Sequence, residues 1–84
     1  MANMTDAIAE AKKLLKQGIA VTVVCYEQLP ILDFANVQYT RRKQCGTLLF
    51  DSGDGRKVTR RCKALAANYQ SAGTWEVHTR SSGF

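Results

Sequence analysis

The spacing of apolar residues changes three times along this chain, and that change limits what the chain can fold into. From Met4 to Gln17 the apolar residues Met4, Ile8, Ala11, Leu14 and Leu15 recur at steps of three and four, the period of a helix face. From Ile19 to Tyr26 the chain is short, apolar and β-branched, which predicts a strand with both faces covered. Alternation continues in Phe34–Lys43 and Thr47–Asp51, two further strands expected to form a hairpin with a turn at Gln44-Cys45-Gly46. Helical spacing returns with Val58, Cys62, Leu65, Ala66 and Tyr69, and the stretch Trp75–Thr79 alternates again. Segments of both periods must bury their apolar sides against one another. The expected fold is α+β: a single small domain over 1–84, order α-β-β-β-α-β, with a mostly antiparallel sheet and two helices packed on it.

Local signals place the boundaries. Asn3 or Thr5 can cap the first helix, Asp6 sits in its first turn, and Gly18 lies just past its end. Lys12, Lys13 and Lys16 read as its solvated side. Gln28-Leu29-Pro30 is expected to interrupt the first strand, because proline cannot donate to a ladder. Ser52-Gly53-Asp54-Gly55 marks a turn before the second helix, and Gly73 is expected to end that helix. A second reading pairs Leu48–Ser52 with Arg56–Arg60 as a hairpin across Gly53-Asp54-Gly55, with the helix starting near Arg61. Ser81–Phe84 reads as a frayed tail.

The charge is concentrated. Between Gln38 and Lys63 stand Arg41, Arg42, Lys43, Arg56, Lys57, Arg60, Arg61 and Lys63, opposed by Asp51 and Asp54 alone, a local net charge of +6 in a chain whose total is +5. Clustered like charge suits an anionic partner. Arg56 and Lys57 fall at the expected helix start, where cations oppose the macrodipole unless an anion sits there. The Gly53-Asp54-Gly55 loop lets a phosphate approach backbone, although the spacing is not that of a P-loop.

Other chemistry is poorly represented. Cys25, Cys45 and Cys62 are an odd number at long spacings, with one histidine in the chain, His78. That is not a zinc pattern, and all three are expected to be reduced and to behave as small hydrophobes. His78 shares a strand face with Glu76 but has no nucleophile fixed beside it, and Asp51 and Asp54 read as turn residues. The aromatics fit core positions better than a base-stacking platform. No enzyme activity, cofactor or metal is expected. The longest apolar run, Ile19–Tyr26, is far short of the roughly 20 residues a membrane helix needs. With no secretory pattern either, the cytoplasm is the expected location.

In charge layout, the basic second helix after a glycine turn resembles a double-stranded-RNA-binding domain, through Gly55, Arg60, Arg61, Lys63, Ala66 and Ala67. The strands at 19–26 and 74–80 and the missing histidine-bearing loop depart from that family, so the likeness extends to charge placement and not to membership. The expected function is a non-catalytic basic binding protein that contacts nucleic acid or a nucleoprotein through the eight cations. The alternative is a phage- or mobile-element-encoded inhibitor or adaptor, of the anti-CRISPR or anti-restriction type, docking on an acidic protein surface.

Overall fold

The first helix, α1, runs Met4–Lys16 and starts where the sequence allows it: the Asn3 side chain accepts a hydrogen bond from the Asp6 amide at 2.8 Å. Gly18, at φ 84°, takes the left-handed conformation that turns the chain out of the helix. The computed structural model describes residues 3–32, 35, 38–69 and 72–80, with strands β1 (Val21–Leu32), β2 (Gln38–Phe50) and β3 (Ala72–Thr79) and a second helix, α2 (Gly55–Ala67). The strands form one antiparallel sheet in the order β2-β1-β3. Phe34, Asn36, Val37 and the tail 81–84 lie outside the described residues.

The fold is the expected α+β domain, with several details redrawn. Two strands around a turn were expected at 34–43 and 47–51, but residues 38–50 form one continuous strand, β2. Cys45 is the reason: it enters as an extra residue, so that Cys25 pairs with Gly46 and Tyr26 with Gln44. The ladder absorbs Cys45 as a bulge where a turn was expected. Likewise β1 does not stop before Pro30, which pairs with Thr40. Among the described residues β3 accompanies β1 only from Val21 to Glu27, so at Pro30 β1 is laddered to β2 alone, an edge position of the kind that tolerates proline.

The result is a three-stranded body from which a two-stranded arm, Gln28–Leu32 with Gln38–Arg42, continues. The molecule measures 49 × 30 × 16 Å, with a radius of gyration of 14.8 Å. A compact chain of this length has about 12 Å. A second bulge, at Gly73 in β3, falls one residue further along β1 than the first. Gly73 therefore lies within β3, and α2 ends earlier than expected, at Ala67 with Asn68 as its C-cap.

One face of the body is the core. Val21, Val23 and Cys25 of β1, Phe50 of β2 and Trp75 of β3 meet Ala7, Ala11 and Leu15 of α1 and Val58 and Cys62 of α2. Both helices contribute to this one cluster, so β1 has one helix-covered face instead of the two expected. Trp75 and Phe50 are the largest fully buried side chains, and each buried aromatic of this kind contributes about 1.5–3 kcal/mol. Gly46 faces the same core and lets Leu65 of α2 close onto the strand.

Candidate nucleic-acid interface

α2 is helical from Gly55, so Arg56–Arg60 lie on a helix and not on the alternative hairpin strand. At about 100° per residue, burying Val58 and Cys62 sends Arg56, Arg60 and Lys63 into one row on the opposite side. Lys57 and Arg61 form the flank toward β2. There the Arg61 guanidinium lies 5.1 Å from the centre of the Phe50 ring, and its Nη1 donates to the Leu49 carbonyl at 3.4 Å. All five cations are exposed.

The start of α2 lacks a side-chain cap. Asp54 occupies the N-cap position but makes no side-chain cap, and the first turn holds no acidic residue. The Asp54 carboxylate instead accepts the Asp51 amide at 3.0 Å, closing the turn, and stands 3.9 Å from the Lys57 ammonium. Gly53, at φ 106°, makes that turn possible. The Asp51 carboxylate is taken by Arg80, whose Nη2 also donates to the Phe50 carbonyl at 3.0 Å. Arg80 thus ties the end of β3 to the end of β2.

Packing of α1 beside α2 adds two cations whose spacing alone places them on a solvated helix side. Lys12 and Lys16, four residues apart on α1, line an open cleft of about 770 Å³ together with Leu15, Gly53, Gly55 and Arg56. Lys12, Lys16 and Arg56 therefore surround the uncapped start of α2. The spacing of the lysines was visible in the sequence; their neighbour across the cleft was not.

The arm cations are elsewhere. Arg41, Arg42 and Lys43 sit within the β2 ladder opposite Leu29, Gln28 and Glu27, and not at an open hairpin end. The Cys45 bulge reverses the facing of β2 beyond it. Phe50, Leu48 and Gly46 pair with core-facing residues of β1, while Gln44 and Arg42 pair with Tyr26 and Gln28 on the other side of the sheet. Arg42 there stacks 4.4 Å from the Tyr26 ring centre and donates to Glu76 Oε2 at 3.1 Å. Glu76 Oε1 accepts from the Tyr26 hydroxyl at 3.3 Å and lies 3.1 Å from His78 Nε2. These bonds, that from Arg42 foremost, hold the Glu76 carboxyl below its ordinary value. Lys43 is exposed, and the Arg41 side chain lies outside the described residues.

The eight expected cations therefore occupy two places. Five line α2, where Lys12 and Lys16 join them. The other three lie along β2, with Arg42 turned to the opposite sheet face roughly 26 Å of strand away from Phe50. Among the described residues no three His, Cys, Asp or Glu side chains converge as a metal site would require. Among the described residues no helix is long and apolar enough to cross a membrane. No protein-family model, curated protein or solved structure matches the chain.

Proposed function

We propose that this protein is a non-catalytic binding module that holds an anionic nucleic-acid or nucleoprotein surface against its helix layer. Lys12, Lys16, Arg56, Lys57, Arg60, Arg61 and Lys63 make the primary contact, and the basic arm makes a second one. The observation that carries the reading is the start of α2: a helix N-terminus with no side-chain cap and no acidic residue in its first turn, where Asp54 alone faces Lys12 and Lys16 of α1 and Arg56 and Lys57 of α2. Such an arrangement is electrostatically costly alone and favourable with a phosphate in place. A two-stranded basic arm also has dimensions that a nucleic-acid groove admits.

The test is binding to duplex DNA and duplex RNA across a salt series. Engaging about four to six phosphates gives a log–log slope of roughly −3 to −5. The variant Lys12→Gln/Lys16→Gln/Arg56→Gln/Arg60→Gln removes four exposed cations and leaves Arg61 on Phe50, so its melting temperature stays close to that of the parent. Its slope becomes shallower by about 3 and its affinity drops in proportion. Salt-insensitive binding, or equal binding by the variant, overturns the reading. Retention of one protein partner after nuclease digestion, lost in the same variant, would assign the surface to an acidic protein and favour the inhibitor alternative.

A further inference from the structure

Cys25 and Cys45 are 20 residues apart in the chain, and the bulge in β2 brings their sulfurs to 3.0 Å. Cys25 is fully buried in the central strand, between Gly46 of β2 and Trp75 of β3. Cys45 is the extra residue of the bulge and is half-buried. Adjacent strands run about 4.8 Å apart. That falls within the Cα separation of about 4.4–6.8 Å that a disulfide spans, and closing the bond requires the sulfurs to approach by only about 1 Å. Both thiols are free in this structure.

We propose that Cys25 and Cys45 are a redox-active pair that closes to an intramolecular disulfide by exchange with a low-molecular-weight disulfide, of which oxidised glutathione is the probe. The roles follow from exposure. The Cys45 thiolate, reached from solvent, attacks one sulfur of the glutathione disulfide. That S–S bond breaks, a first glutathione thiolate leaves and takes a proton, and a mixed disulfide remains on Cys45. The Cys25 sulfur then attacks the Cys45 sulfur. The Cys45–glutathione bond breaks, and the Cys25 proton passes to the second departing glutathione thiolate. Two protein thiols are oxidised by two electrons, and one glutathione disulfide is reduced to two thiols.

Burial, and then the Cys45 thiol beside it, push the Cys25 pKa up to about 12, which disfavours Cys25 as the first attacker. Cys62, fully buried on α2 and pushed by burial up to about 11, stays out of the exchange. The bond closes a ring around residues 26–44, which contains the whole arm. Oxidation therefore pins β1 to β2 at the bulge where the arm leaves the body.

The experiment incubates the native protein with excess oxidised glutathione and maps the product by peptide mass spectrometry. The expected product is a monomer lighter by two hydrogens, with a Cys25–Cys45 cross-link and an unmodified Cys62. Its melting temperature is higher by at least about 5 °C and returns on adding a reductant. Cys45→Ser, a near-isosteric change at a half-buried position, forms no disulfide and keeps the reduced protein's melting temperature. A glutathione adduct that persists on Cys45, three unreacted thiols, a disulfide between two molecules, or a cross-link in Cys45→Ser would each overturn the proposal.

Discussion

Replacing Gly46 with alanine tests how α2 is seated on the sheet. Gly46 faces the core in β2, and a Cβ built there would lie 2.6 Å from Leu65 Cδ1, 2.8 Å from Cδ2 and 3.2 Å from Cγ. Ordinary carbon contacts are about 3.5–4.0 Å, so the Leu65 tip must retreat by about 1 Å. Leu65 is half-buried, so it can rotate instead of pushing the helix away. Forcing it off its rotamer costs about 0.5–1.5 kcal/mol, and wider overpacking costs about 1–3. Removing a glycine from a strand returns about 0.5–1 kcal/mol. Gly46→Ala should therefore be destabilising by about 1 kcal/mol, a fall in melting temperature of about 4–8 °C. In a Leu65→Ala background the added methyl group enters vacated space, and the same change should be neutral or stabilising by about 0.5 kcal/mol. Urea unfolding of the four proteins gives the coupling energy, expected at about 1–2 kcal/mol. A Gly46→Ala protein as stable as the parent, or a coupling near zero, would show that α2 does not pack on β2 as described.

Two pH dependences follow from the buried and bonded groups. Glu76 is held below its ordinary value of 4.5, so its stabilising contribution is present above that pH and is lost as pH falls through the lower folded value. The stability gap between the parent and Glu76→Gln should therefore be widest near neutrality and close in strong acid, and a gap that does not change with pH would refute the Arg42–Glu76 assignment. Cys62 is raised from 9.0 to about 11, so folding retains its proton while the unfolded chain loses it, and stability falls as pH rises through that window. Melting curves of Cys62→Ala should show a shallower alkaline decline than the parent; parallel declines would place Cys62 in contact with water.

Much of this molecule was legible from short-range pattern. Asn3, Gly18 and the three-and-four spacing of Ile8, Ala11 and Leu15 specify α1, and the glycine turn with Val58 and Cys62 specifies α2. These signals involve residues a turn apart, whose preferences act whatever the rest of the chain does. Strand pairing is different in kind. Pro30 reads locally as a stop, and only the pairing shows it beyond the end of β3 opposite Glu27, where among the described residues β1 is laddered to β2 alone. Gln44-Cys45-Gly46 reads locally as a turn, and only the ladder with β1 makes Cys45 a bulge. That single extra residue reverses the facing of β2, sends Arg42 to Glu76 on a strand 34 residues on, and sets the Cys45 sulfur beside Cys25. The sequence by itself marked the two helices, the strand-forming runs and where the positive charge concentrates, without the strands' true extents. The tertiary structure alone decided which cations share a surface: packing of α1 beside α2 placed Lys12 and Lys16 around Arg56, a juxtaposition that side-chain periodicity within either helix does not encode.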